Sequence, residues 1–464
     1  MYIKGELMKR VLLVIVGIIP LFLSGITLER SIELSLAKNR ELLSKQFDIS
    51  KAERDIEVSK SNLLPQLSFE VGGNISNTHN PEAFTGGPGN IEDKLTLTAS
   101  EDAHMLADHM NGIYESLVPE DSETKVQVSS KIKATQLIYS GGKVSTGVKI
   151  NQTLLEIQKD SYELAKENVI YRTKELFYSA LLTRDVLQIT KDSWALANKH
   201  YQQVKLMNEE GMSSDYDLLR AELEVSRLEP AVEKAINDYK MVISALEQHL
   251  GNSSIDVIEG DIVLPMAEDI SLNQCYIELI DNRIELKMAN KKKQIEKYSY
   301  KIAKSDYLPS IGLNSEVGIF AQDEDMPTDS DYYGYSYSIG IGFSIPLFTG
   351  FSTENKIKKA KLSLKQVLND NADMEDKLRL EVKQNHLELG KTWKTVRTMN
   401  KNLELAESGF AIATTRYENQ LGIQLELIDA QLQLKQAKLE LKNATYNTIM
   451  ATEKLHLSLG RKLN

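Results

Sequence analysis

Residues 333–345 read YGYSYSIGIGFSI. Tyr333, Tyr335, Tyr337, Ile339, Ile341, Phe343 and Ile345 alternate with Gly334, Ser336, Ser338, Gly340, Gly342 and Ser344, so an extended chain puts every large apolar group on one face. Three other stretches share this period of two. Leu67, Phe69, Val71 and Ile75 alternate with Gln66, Ser68, Glu70, Asn74 and Ser76. Val126, Val128, Ile132 and Ala134 alternate with Gln127, Ser129, Lys131, Lys133 and Thr135. Ile311, Leu313, Val317 and Ile319 alternate with Ser310, Gly312, Asn314, Glu316 and Gly318. Strands are therefore expected over about 64–76, 125–139, 309–320 and 333–348.

Alternation alone also describes a half-buried strand of a soluble sheet. Three features point instead to a membrane barrel: strands of about ten residues, Lys and Glu on the polar side, and tyrosines gathered at the loop end of the fourth strand, where an interfacial girdle would sit. Four strands cannot close a barrel around a channel, since eight already make one filled by its own side chains. Several chains must pool their strands, and three copies would give twelve.

Outward from the strands, the chain is written twice. TQLIYSGG (135–142) falls on SIPLFTGF (344–351), Ala221 of LLRAELE on Ala430 of LIDAQLQ, and Gly251 on Gly460, all at a separation of 209. Leu427, Ala430, Leu434, Ala437, Leu441, Ala444, Thr448 and Ala451 step by three and four. The first copy answers with Leu218, Ala221, Val225, Leu228, Val232, Ala235, Tyr239 and Val242. A seam held over four heptads predicts coiled-coil packing, and its alanines let helices approach closely. Earlier in the chain, Asn39-Arg40 and Asn282-Arg283 each head a helix that runs into Leu64-Pro65 and Leu308-Pro309, and these Leu-Pro pairs repeat at 244. The two separations differ by 35, which puts an insertion of that size in the first copy, within 76–124.

Long helical readings follow the second strand of each copy, Lys143 to Met207 and about Ser352 to Tyr417; 65 residues span roughly 100 Å at ~1.5 Å each. Each is answered by two helices of about 35 residues, 27–61 with 215–250 and 273–306 with 424–459. Ser214-x-x-Asp217 and Ser271-x-x-Gln274 resemble capping boxes, and Pro230 predicts a kink that Leu439 does not share.

Lys4, Lys9 and Arg10 precede an apolar run, Val11 to Leu23, that ends in Ser24-Gly25. This reads as a signal peptide over 1–25, too short to cross a bilayer as a helix, which needs about 20 residues. The expected organisation is a first structural repeat over 26–251, a linker over 252–271 and a second repeat over 272–464. A single cysteine, Cys275, forms no disulfide within the chain, so packing or oligomerisation must stabilise an exported protein. The net charge of −11 argues against nucleic acid.

Helix, Leu-Pro, strand hairpin, long helix, tight turn and helix, all twice, resemble the TolC-type outer-membrane efflux protein family. TLERSIELSLAKNREL, LIYSGG, LFTGF and YENQLGIQLELIDAQ carry the resemblance, which covers essentially the whole mature chain. It implies an α+β membrane protein, internally duplicated. Four β-strands per chain would contribute to a 12-stranded barrel of a homotrimer in outer-membrane lipid. A long coiled-coil α-helical barrel would extend through the periplasm, closed at its tip until a periplasmic adaptor (membrane fusion) protein and an inner-membrane transporter engage it. The implied function is a passive exit duct for efflux or type I secretion.

The resemblance also implies a gate. Glu426 and Asp429 occupy the family's acidic positions at the start of the last helix, with Asp217 and Arg220 as first-copy counterparts. Tyr417 matches the residue that ties the closed helices to the first-copy Asp. The Arg of that network has no match, since Gly422 stands there; Arg416 and Arg220 are the nearby alternatives. Rings of carboxylates would attract cations, although acids in a first helical turn also simply favour the helix dipole. The turns Gly211, Met212, Ser213 and Leu421, Gly422, Ile423 are the expected adaptor contacts.

No phosphate-cradling loop, zinc-spaced histidine pair or Ser/His/Asp set is legible, so neither an enzyme nor a cofactor nor a metal site is expected. His104-Met105 and His109-Met110 suggest soft-metal capture only weakly, because five residues do not return to one helix face. The rival reading is a soluble periplasmic coiled-coil scaffold or adaptor, which would have to cover the greasy face of 333–345 with protein.

Overall fold

The structure, a computed structural model, describes residues 25–79, 122–267, 270–323 and 333–463. The signal reading up to Ser24, most of the insertion and both His-Met pairs lie outside the described residues. The first copy contains α1 (Leu28–Lys38), α2 (Arg40–Ser61), β1 (Gln66–His79), β2 (Ser122–Ser140), α3 (Lys143–Glu209) and α4 (Asp215–His249). The second contains α5 (Leu272–Asn282), α6 (Ile284–Ser305), β3 (Ser310–Asp323), β4 (Tyr333–Ser344), α7 (Ser352–Glu418) and α8 (Gln424–Leu459). An offset of 244 carries α1, α2 and β1 onto α5, α6 and β3 at both ends, and 209 carries α3 onto α7 and the start of α4 onto the start of α8.

Contacts divide the chain into two compact units. The strand unit comprises the described parts of Asp55–Asn151 and Lys297–Lys361. Its sheet is antiparallel in the order β1-β2-β3-β4, so among the described residues β1 and β4 each keep one unpaired edge. The register realises the alternation: Phe69, Ile132, Val317 and Tyr337 form one row, and Ser68, Lys133, Glu316 and Ser338 the next. Tyr335 is 83% and Ile339 77% exposed, so the described residues leave this greasy face uncovered. On the polar face, Lys131 lies 3.7 Å from Glu70 and 3.5 Å from Glu316. β4 stops at Ser344, short of the expected 348, because Pro346 brings no N–H to a ladder.

The corner after β2 needs glycine. Gly141 has φ of +65°, and a Cβ there would meet the Ser305 carbonyl and the Leu308 side chain at 2.8 Å. Beside it, Asp306 receives hydrogen bonds or charge from Lys143 at 2.6 Å and Lys356 at 3.5 Å, one lysine from the start of each long helix. The hydrogen bond from Lys143 is the chief reason that the Asp306 carboxyl sits below its ordinary range.

The helical unit comprises the described parts of Met1–Arg54, Gln152–Glu296 and Leu362–Asn464. Every seam residue of both copies is buried or partly buried. One core gathers Phe177, Ala180, Leu181, Leu246, Leu250 and Ile449, and a second Cys275, Leu279, Val382, Leu455 and Leu459. The segment read as a linker contributes Ile258 and Ile262 to the first core, and the Ile26 N–H donates to the Val257 carbonyl at 2.8 Å.

Two expectations change. The helices over 27–61 and 273–306 are each broken once, at Asn39 and Arg283, whose backbones turn extended. The Asn39 side chain accepts from the Glu41 and Leu42 N–H groups, so it restarts α2 as a cap. Buried Arg283 donates to the Leu457 carbonyl at 2.6 Å, near the end of α8. At Pro230 α4 continues as one helix; the proline is exposed, and the Ser226 carbonyl that it leaves without a helical partner is on an exposed residue.

Candidate functional site

The expected gate and adaptor residues gather where α3 turns into α4 and α7 into α8. Both turns have the same backbone pattern. The Met212 N–H donates to the Met207 carbonyl at 2.7 Å, and the Leu421 N–H to the Arg416 carbonyl at 2.8 Å. One residue before each, Gly211 and Gln420 take φ of +77° and +60°. This six-to-one closure over a left-handed residue ends a helix and reverses the chain. Met212 is 61% exposed and Leu421 74%, while Ser213 and Gly422 are partly covered.

The side chains then diverge. In the first turn, Asn208 donates to the Ser213 carbonyl and to Asp215, at 3.0 and 3.1 Å. Ser214 caps α4 through the Asp217 N–H at 3.1 Å, and its hydroxyl donates to the Asp217 carboxylate at 2.6 Å. The box is therefore not the reciprocal one that Ser271 and Gln274 form. Ile423 occupies the corresponding cap of α8, which has no side-chain bond. Arg416 fills this turn: it donates to the Leu421 carbonyl at 3.1 Å and lies 3.6 Å from Glu426. Gly422 leaves it room, since a Cβ there would stand 3.1 Å from the Arg416 Cβ.

Exposed Asp429 and half-buried Arg220 line one groove with Tyr216, Leu219 and Leu432. Arg220 has no ion pair within 4.0 Å among the described residues. Tyr417 packs its ring against His200, centroids 5.2 Å apart and nearly perpendicular, and makes no hydrogen bond to Asp217 among the described residues. Burial first and the Asp217 charge second raise the Tyr417 phenol above its usual range.

Two residues at this site were not legible as functional. His200 on α3 and Gln424, the first residue of α8, are 5% and 6% exposed. The Gln424 amide donates to the Asp217 carbonyl at 3.1 Å and lies 3.2 Å from His200 Nε2. Burial lowers the His200 titration point. Their only sequence signal is asymmetry: at an offset of 209, Gly409 stands opposite His200 and Asp215 opposite Gln424.

An open-edged sheet with one greasy face, joined to duplicated 67-residue helices that end in tight turns, defines a class of outer-membrane channels. The sequence matches the family described as Outer membrane efflux protein over residues 31–252 and 276–461, and the chain belongs to that family. It is 20% identical to the outer membrane efflux protein BepC of Brucella suis biovar 1 (strain 1330), over 71% of each chain. It is 22% identical to the outer membrane protein TolC of Vibrio cholerae serotype O1, over 65% of this chain and 70% of that one. The fold matches the Campylobacter jejuni CmeC outer membrane channel with a TM-score of 0.71, at 15% identity, over 93% of this chain and 85% of the other. The chain is thus an outer-membrane efflux channel and not an enzyme. The scaffold reading is set aside. Among the described residues no helix is long and apolar enough to cross a membrane.

Proposed function

We propose that three copies of this chain pool their strands into one twelve-stranded barrel and that their paired helices form a periplasmic duct gated at its tip. The unpaired edges of β1 and β4 carry this reading, together with the uncovered tyrosine and isoleucine face. In lipid an open edge leaves backbone groups without partners at several kcal/mol each, so an antiparallel sheet must close. Pairing β4 of one copy with β1 of the next removes both edges at once.

In this reading Asp429 and Glu426 narrow the tip, with Asp217 and Tyr417 behind them, and Arg220 shares the groove of Asp429. Met212, Leu421 and Ile423 present apolar side chains to a periplasmic adaptor, with Gly211, Ser213 and Gly422 shaping the turns between them. An inner-membrane transporter supplies the energy. The organisation into repeats 26–251 and 272–464 then reflects two helical hairpins per copy.

Extraction and electrophysiology test the two halves of the proposal. The protein should need detergent for release and migrate as a trimer, with its single-channel current cation-selective and blocked by divalent cations. The double variant Glu426→Ala/Asp429→Ala should lose selectivity and block. Unchanged selectivity and block would remove the gate assignment and leave the channel reading standing.

A further inference from the structure

Gln424 is the residue with which α8 begins, and it is tied to two other helices at once. Its amide nitrogen has two hydrogens: one goes to the Asp217 carbonyl of α4, 3.1 Å away, and the other to His200 Nε2 of α3, at 3.2 Å. That geometry requires His200 to be neutral, with its proton on Nδ1. The Gln424 Oε1 atom is buried and has no partner among the described residues, so the amide is spent entirely as a double donor. Turning the amide over would set Oε1 against the Asp217 carbonyl. A proton added at His200 Nε2 therefore either faces the Gln424 N–H group or gains an acceptor only by giving up the bond to the Asp217 carbonyl, so protonation costs the arrangement at least one of its two hydrogen bonds.

We propose that His200 and Gln424 form an interior clamp that holds the start of α8 to α3 and α4, and that protonation of His200 releases it. The inference rests on the tip being the gate, and adds two positioning residues and a trigger to it. Titratable neighbours do not supply a competing switch. From α7, the Tyr417 ring packs edge-on against the histidine. From α4, the Asp217 carboxylate is already engaged by the Ser214 hydroxyl. From α8, Glu426 faces Arg416. Burial is the cause of the depressed His200 titration point, with no charged side chain contributing.

The sign follows. The clamped state holds His200 neutral, and its titration point lies below the ordinary value of about 6.5. Once unclamped and solvated, the ring regains that ordinary value and binds the proton more readily. The clamp is therefore intact at neutral pH and weakens as pH falls below about 6.5. The effect saturates below the clamped-state value. Each pH unit between the two titration points is a tenfold shift of the clamped-to-released ratio per copy.

The test uses the full-length protein in lipid, with paired spin labels at positions 212 and 421, which are exposed, so that tip distances are read independently of ion flow. Single-channel conductance is recorded in parallel. Lowering pH from 7.5 to 5 should widen the distance distribution and raise mean conductance several-fold. His200→Gln keeps a neutral acceptor and should stay closed and flat across that range. Gln424→Leu removes both donors and should be open already at pH 7.5, with no further response to acid. A full acid response in His200→Gln, or a closed tip in Gln424→Leu, overturns the clamp. Label distances that respond as expected while the Glu426→Ala/Asp429→Ala variant keeps wild-type selectivity would instead retain the clamp and reject only the carboxylate ring.

Discussion

The two copies agree at one end of their hairpins and part company at the other. Gly251 and Gly460 close α4 and α8 with φ of +75° and +71°, and both are packed so tightly that a Cβ would collide with the last residue of a short helix, Lys38 of α1 and Asn282 of α5. At the opposite ends the backbones still match, but the means of holding them do not. The first turn is stabilised within itself, by glycine at the left-handed position, by Asn208 and by the Ser214 cap. The second keeps one such local bond, from Arg416 to the Leu421 carbonyl, but has glutamine at the left-handed position and isoleucine at the cap, and adds Gln424 reaching into α3 and α4. A turn that is locally complete resists opening. One that depends on a distant partner can be released by changing that partner. Duplication has thus kept the frame while making one of the two tips conditional.

The largest effect should appear where the copies agree. Gly460→Ala would bring a methyl group within 2.9 Å of the Asn282 carbonyl carbon, and Gly251→Ala would bring one within 2.8 Å of the Lys38 Cβ. Left-handed backbone costs an L-residue roughly 1–2 kcal/mol and forced packing about 1–3 more, so each variant should lose about 2–5 kcal/mol of local stability. Hydrogen exchange of the amides in the last turns of α4 and α8 measures this. A large loss in only one copy would show that the shared frame is not shared in energy.

At the tips the effects are smaller and should differ in sign. Ser214→Ala removes the cap of α4 and should cost about 1 kcal/mol, read as faster exchange over residues 215–218. Ile423→Ser supplies the missing cap of α8 and should slow exchange over 424–427 by a comparable factor. Should Ile423→Ser leave exchange unaltered, the second turn is already limited by the Gln424 clamp and not by its cap. Gln420→Gly, relieving a left-handed glutamine, should gain about 0.5–1 kcal/mol at the same amides. Applied to Gly211, the reverse substitution Gly211→Gln should cost about as much.

Much of this frame was legible. Offsets of 209 and 244 repeat in the element boundaries because each pattern recurs under the same physical demand: Leu-Pro before a strand, glycine at a corner, a seam along a helix. The seam from Leu427 to Ala451 is legible because side-chain burial follows helical period. The breaks at Asn39 and Arg283 are legible in part: the Asn-Arg pair of each copy reads as the head of a helix, but the helical pattern ahead of it hides that a separate short helix ends there. The clamp was not legible at all. His200 and Gln424 lie 224 residues apart, and each taken alone is an ordinary polar residue on a long helix. Only three-dimensional packing reveals that both are buried and that one is the other's acceptor.

The smallest expected effect on stability is also the one that separates holding the tip from serving it. Arg416 and Glu426 are 3.6 Å apart, and each side chain is about half exposed, at 53% and 48%. Water and salt screen such a pair, so its contribution is a few tenths of a kcal/mol and falls further at high ionic strength. Glu426→Gln should therefore leave hydrogen exchange at the second turn nearly unchanged while the Arg416 bond to the Leu421 carbonyl persists. Its effect on current should be larger. Removing the carboxylate leaves Arg416 as an uncompensated positive charge in each copy, so cation selectivity should fall while Asp429→Asn alone lowers it without freeing a cation. Equal loss in the two variants would mean that Arg416 does not face the ion path. A loss confined to Asp429→Asn would mean that Glu426 is already neutralised in place, and that the acidic ring is made by Asp429.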